Sequence, residues 1–83
     1  MNKMDSKASF STSLRGHIKH YFSHLNGESF SHNLHQDIIS EVEKVLIAET
    51  MRYCNNVQSK AANMLGVNRN TLRNKIKQLE IQD

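Results

Sequence analysis

The chain has 83 residues, and its 11 lysines and arginines against 8 aspartates and glutamates give a formal net charge of +3 at pH 7. This length allows one domain at most, and with 37% hydrophobic residues a lone protomer would have a thin core. Small domains of this kind usually need a disulfide, a metal or a partner subunit. The single cysteine, Cys54, excludes an internal disulfide. No apolar run approaches the roughly 20 residues of a membrane span, and no hydrophobic signal core opens the chain, so we expect a cytoplasmic protein.

The first quarter of the chain predicts one short helix. Residues 1–13 are polar and rich in serine, which is typical of a flexible N-terminal arm. From Leu14 to Leu25, apolar side chains recur at i, i+4, i+7, i+8 and i+11, which predicts an amphipathic helix of about three turns. Asn26-Gly27 ends this helix, and a loop is expected to follow as far as His32.

The longest predicted helix runs from about Asn33 to Tyr53. Asn33 with Gln36 resembles a capping box, and Asp37 lies in the first turns, where a helix favours negative charge. The apolar residues form more than one stripe, which indicates burial on more than one side. At about 1.5 Å per residue the helix would span roughly 30 Å, more than one small protomer can cover. We therefore expect a homodimer formed through residues 14–56, with interface side chains Ile18, Tyr21, Phe22, Leu25, Ile38, Val42, Val45 and Leu46.

Residues 57–83 form a predicted helix-turn-helix, separated from the preceding helix by Asn55-Asn56. The two alanines Ala61-Ala62 allow a second helix to cross closely, and Gly66 can adopt the left-handed conformation that ends the first helix. Val67 is expected to fill the corner. After it, Leu72, Ile76 and Leu79 recur at i, i+4 and i+7 as the buried stripe of the second helix. The predicted protomer is all-α with four helices.

Charge is segregated along the chain. The stretch from Glu28 to Glu49 contains five acids and one base, whereas the stretch from Gln58 to Leu79 contains five bases and no acid. Positive potential is therefore concentrated at one end of the molecule, as a nucleic-acid footprint requires. Because this potential coincides with the helix-turn-helix pattern, double-stranded DNA is the leading candidate partner.

The polar face of the last helix carries side chains that contact bases and phosphates. Arg69 can form a bidentate pair with guanine O6 and N7, worth about 1–3 kcal/mol of discrimination. A cation in the first turn is disfavoured by the helix dipole, which favours an external base or anion as its partner. Asn68 can act equally well as an N-cap or as a base contact. The same helix also carries Arg73, Lys75 and Lys77. Either phosphate contact or a solvated basic face explains their presence.

The remaining chemically active residues favour neither a metal site nor catalysis. His17, His20 and His24 share a helix face, but no cysteine accompanies them, so surface histidines are favoured over a zinc site. Cys54 is expected to be a small buried residue at a helix end. It is not expected to be a catalytic nucleophile, because no oriented base accompanies it. The sequence contains no glycine-rich phosphate loop and no paired carboxylate site. We expect a protein that is not an enzyme and has no cofactor.

Several of these segments together resemble one protein family. They are Tyr21-Phe22 with Leu25-Asn26-Gly27, then Ser40-Glu41-Val42-Glu43, then Met51-Arg52-Tyr53, and the run from Gln58 to Lys77. This combination closely resembles the Fis family of bacterial nucleoid-associated proteins over about Leu14 to Lys77. The second half of the pattern is also similar to the C-terminal DNA-binding domains of enhancer-binding regulators.

The Fis resemblance implies a homodimer whose first two helices intertwine and whose last two form the helix-turn-helix. It implies binding to degenerate duplex sites through the major groove, bending of the DNA, and a role in transcription with RNA polymerase or a recombinase as further partners. By this resemblance Arg69 and Asn68 contact bases. The implied phosphate contacts are Ser59, Thr71, Arg73 and Lys75. We add the lysines Lys60 and Lys77 to this set.

The sequence leaves two alternative functions open. The chain could be the isolated C-terminal domain of an enhancer-binding regulator. It could also be a helical interaction module whose basic end binds RNA or an acidic protein.

Overall fold

A computed structural model describes residues 3–25 and 33–81, and every regular element in these ranges is a helix. The helices are α1 (Lys3–Leu25), α2 (Leu34–Tyr53), α3 (Gln58–Leu65) and α4 (Arg69–Gln78). The all-α class, the four helices and the C-terminal helix-turn-helix are confirmed. The chain divides into two compact units, Met1–His32 and Asn33–Asp83.

The first unit contains α1, which begins at Lys3 and not at the predicted Leu14. Residues 3–13, predicted as a flexible arm, are therefore helical. Their polar composition does not prevent this, because the segment has no glycine or proline. One hydroxyl is satisfied within the helix, since Thr12 Oγ1 donates to the Ala8 carbonyl at 3.0 Å. The predicted loop from Asn26 to His32 lies outside the described residues.

The second unit begins with α2, whose predicted bounds are confirmed but whose predicted capping box is wrong. Asn33 is the N-cap residue, yet its side chain makes no capping hydrogen bond. Its φ of −115° and ψ of 35° are not the extended conformation that normally directs an N-cap side chain at the first free N–H groups. The Asn33 carbonyl instead accepts a hydrogen bond from the Asp37 N–H at 2.9 Å.

The chain turns sharply after α2, as the Asn55-Asn56 pair predicts. Both asparagines adopt positive φ angles, 55° and 65°. Asparagine tolerates this conformation better than most residues. The Asn56 N–H donates to the Met51 carbonyl at 2.8 Å, which satisfies an end group of α2 and directs the chain into α3.

The core of the second unit is shared by α2, α3 and α4. Its buried members are Ile47, Met51, Ala61, Ala62, Leu72 and Ile76. Ala61 is fully buried, so α3 has the close approach that the alanine pair predicts. The C-terminal half of α2 therefore belongs to the helix-turn-helix core. The predicted division after residue 56 does not coincide with the observed unit, which starts at Asn33.

One polar side chain lies in this core, and the sequence analysis missed it. Thr50 is 6% exposed, and its hydroxyl donates to the Leu46 carbonyl at 2.7 Å. This bond removes the cost of burying an unpaired hydroxyl. The helical spacing could have predicted its burial, because Thr50 lies three residues after Ile47 and so shares its helix face.

Candidate nucleic-acid interface

The turn between α3 and α4 is closed by backbone hydrogen bonds around Gly66. Gly66 has φ 75°, and its N–H donates to the Asn63 carbonyl at 3.2 Å. The Val67 N–H donates to the Ala62 carbonyl at 3.0 Å, which completes a left-handed C-cap. The Val67 side chain is 41% exposed, so the prediction that it fills the corner is wrong. The backbone of Val67 closes the turn instead.

Asn68 caps α4, which confirms one of the two roles left open for it. Its Oδ1 accepts a hydrogen bond from the Asn70 N–H at 2.7 Å, and its backbone is extended. This cap fixes where α4 begins and so places Arg69 at the first helical position. The capping bond uses only the oxygen of the side-chain amide, whose NH₂ group can donate two further hydrogen bonds.

The buried stripe of α4 is the predicted one. Leu72 is 1% exposed and Ile76 is 8% exposed, while Leu79 is partly buried against the same core. The outward side of α4 consists of polar and basic residues. Arg69 and Arg73 are one turn apart on one flank, because residues at i and i+4 share a helix face.

The residues predicted to contact nucleic acid lie on the α3–α4 motif, at its surface. Those that are exposed are Ser59, Lys60, Asn68, Arg69, Thr71, Arg73 and Lys77. Ser59 and Lys60 lie in the first turn of α3, and the others lie on or just before α4. No acid lies between Gln58 and Leu79, so α3 and α4 themselves contribute only positive charge to this surface.

Lys75 differs from the other basic side chains of α4 because it is half-buried and forms an ion pair. Its Nζ lies 3.2 Å from Oε1 and 3.1 Å from Oε2 of Glu43, which projects from α2. Within residues 3–25 and 33–81, Lys75 is the one basic side chain of α4 that forms an ion pair. Sequence reasoning missed Glu43, since no local spacing connects residues that are 32 positions apart.

The residues predicted to form a dimer interface are all at least partly accessible in the protomer. Ile18, Leu25, Ile38 and Val42 are half-buried, whereas Tyr21, Phe22, Val45 and Leu46 are exposed. On α2 the members of this set, together with Ile39, occupy one arc on the side away from Ile47 and Met51. Ile39 is 49% exposed, Leu46 53% and Val45 60%.

Two of the histidines on α1 contact each other. His20 Nε2 and His24 Nε2 are 2.9 Å apart, so one ring nitrogen donates and the other accepts. Their ring centroids are 4.4 Å apart in an edge-to-face arrangement. In the part of the chain that the structure describes, no three potential metal ligands lie together, and no helix is long and apolar enough to cross a membrane.

Comparison with known proteins places this arrangement in a family. The sequence profile of the bacterial regulatory proteins of the Fis family matches residues 38–79, from the first turns of α2 to the end of α4. The chain belongs to the Fis family. This range contains all the predicted nucleic-acid contacts and the α2 part of the predicted dimer interface.

Individual Fis proteins extend the similarity beyond the profile. The chain is 40% identical over 65 residues to the DNA-binding protein Fis of Proteus vulgaris, covering 78% of this chain and 69% of that protein. It is 42% identical over 65 residues to the DNA-binding protein Fis of Yersinia enterocolitica, covering 78% of this chain and 65% of that protein. The match therefore spans about two thirds of the length of these relatives.

Proposed function

We propose that the protein binds double-stranded DNA as a homodimer and bends it, acting as a nucleoid-associated transcriptional regulator in the bacterial cytoplasm. The observation that carries this proposal is the capped, acid-free α4 of a Fis-family helix-turn-helix, with Arg69 exposed at its first position. Both relatives described above are named as DNA-binding proteins. The proposed activity is binding, without catalysis or a cofactor.

In this proposal α4 is the recognition helix and its N-terminal end enters the major groove. Arg69 pairs with a guanine edge, since its side chain is exposed and no acid lies on α3 or α4 to neutralise it. Asn68 uses the NH₂ of its side-chain amide for a base while its oxygen caps the helix. The cap is important because it fixes the start of α4 and so sets the distance between the Arg69 backbone and the guanine edge.

The phosphate contacts are divided between the two helices. Ser59 and Lys60 lie in the first turn of α3, where Val57 provides no side-chain cap, so free N–H groups are available to a phosphate oxygen. Thr71, Arg73 and Lys77 are exposed on α4 and can contact the backbone on either side of the groove. Lys75 is paired with Glu43, so a phosphate would compete with that carboxylate for its ammonium group.

The apolar arc of α2 supports the proposed homodimer. A soluble protomer rarely leaves several neighbouring large apolar side chains open to water, as Ile39, Val45 and Leu46 are here. With the apolar residues of α1, this arc is proposed to pack against a second copy. A two-fold dimer then presents two recognition helices to half-sites about one helical turn of DNA apart.

Weak sequence preference follows from the small number of base-reading side chains. Two residues per protomer are proposed to contact bases, so most of the affinity comes from phosphates and from how easily the intervening DNA deforms. A bent complex of this kind can bring RNA polymerase or a recombinase to a regulated site, and these are the further partners we propose.

Salt dependence of binding is the experiment that tests this function. If a dimer makes about six to eight phosphate contacts, log K measured by fluorescence anisotropy on a labelled duplex should fall with log[NaCl] at a slope of roughly −5 to −7. A single-stranded RNA of the same length and an acidic polypeptide serve as competitors. Preferential binding to either competitor, or duplex binding that is insensitive to salt, would exclude the proposed function.

A further inference from the structure

The ion pair between Lys75 and Glu43 links the recognition helix to α2. The ammonium group lies almost equally far from both carboxylate oxygens, at 3.2 and 3.1 Å. The side chains are 39% and 35% exposed, whereas those of the other described ion pair, Arg52–Glu49, are 79% and 61% exposed. Lower exposure means that water and salt screen this pair less than they screen the Arg52–Glu49 pair.

The surroundings of the pair favour its persistence in the free protein. Lys75 and Glu43 line a groove together with five apolar residues, Leu46, Ile47, Leu65, Val67 and Leu72. Apolar walls reduce the local dielectric and strengthen the attraction. Thr71, which is one turn before Lys75 and is a proposed phosphate contact, lines the same groove. A DNA phosphate bound by Thr71 would therefore lie close to the Lys75 ammonium group.

We propose that Glu43 is an internal competitor of DNA, whose carboxylate occupies the Lys75 ammonium group that a phosphate would otherwise bind. This inference rests on the proposed DNA-binding function. An oxygen anion beside Thr71 and Lys75 is what a phosphate group offers, and the Glu43 carboxylate provides it within the protomer. A phosphate that takes over the Lys75 ammonium group breaks the Glu43–Lys75 pair and leaves the carboxylate near a polyanion, so Glu43 lowers affinity.

The competition has a signature that separates it from simple charge repulsion. A lysine that exchanges one anion for another releases fewer counterions than a lysine that meets DNA free. Glu43→Gln frees Lys75 and should therefore make binding tighter and more dependent on salt. A general gain in positive charge would tighten binding whether or not Lys75 is present, but competition requires Lys75.

A double-mutant cycle on the full chain tests this. Wild type, E43Q, K75Q and E43Q/K75Q are titrated against the same labelled duplex over a range of NaCl concentrations. We expect E43Q to bind roughly 1.5- to 5-fold more tightly per protomer. We also expect its slope of log K against log[NaCl] to steepen by up to about 0.9 per protomer. In the K75Q background, the gain in affinity from E43Q should be clearly smaller, and the slope should not change.

Glu41→Gln is the matched control, because Glu41 is an exposed acid on α2 on the side away from Glu43. It should change affinity less than E43Q and leave the slope unaltered. Circular dichroism checks that each variant is folded, and Glu43→Ala replaces E43Q if E43Q loses helix.

Three results would overturn the proposal. They are weaker or unchanged binding by E43Q, an equal gain from E43Q in the K75Q background, and an equal gain from Glu41→Gln. Absence of duplex binding by the wild type at low salt would instead refute the proposed function, so the two failures are distinguishable.

Discussion

Leu72→Ala is expected to lower the free energy of unfolding of the Asn33–Asp83 unit by about 2–5 kcal/mol. Leu72 is 1% exposed and is the largest fully buried side chain of the described residues. It lies where α4 meets α2 and α3, so truncation leaves a cavity that three helices would have to close. Urea denaturation followed by circular dichroism measures the loss.

Met64→Ala is the control for this prediction. Met64 is a similarly large apolar residue on α3, but it is 61% exposed, so its truncation should change the free energy of unfolding by less than about 0.5 kcal/mol. Equal losses for the two variants would contradict the packing described here, since they would mean that α4 is not anchored through Leu72.

Arg69→Ala is expected to weaken binding to a preferred duplex by about 1–3 kcal/mol, which is roughly 5- to 150-fold. The reason is the loss of a bidentate contact to guanine, which no other side chain at the start of α4 can replace. Binding to duplexes that lack this guanine should weaken much less. Anisotropy titrations against a set of duplexes that vary at one half-site position measure the difference.

Lys77→Ala provides the comparison, because Lys77 is proposed to contact phosphate and not bases. It should weaken binding similarly on all sequences and reduce the salt slope by about 0.9 per protomer. If Arg69→Ala reduced binding equally on every duplex, its proposed role as a base-reading residue would be wrong.

The helix-turn-helix could be predicted from sequence because its determinants are local. Gly66 ends α3 through its left-handed backbone, and Leu72 and Ile76 recur at helical spacing. The cap on α4 was one of the two roles that the sequence left open for Asn68, which precedes a helix and offers an acceptor at the right distance. Each of these features depends on neighbours within a few residues.

Predictions from the sequence were wrong or missing where the structure depends on distant residues or on backbone conformation. The polar residues 3–13 suggested an arm, but without glycine or proline they extend α1. Asn33 has the residue type of a cap without its backbone angles. Glu43 could not be placed against Lys75 from sequence, since this pairing requires the packing of α2 against the helix-turn-helix core.

Sedimentation analysis of the protein with a short duplex tests most directly whether two protomers act together on one duplex. At micromolar concentration the free protein should sediment at twice the 9.6 kDa protomer mass, and the complex should contain two protomers per duplex. A free protein that remains monomeric and a complex with one protomer per duplex would contradict the claim.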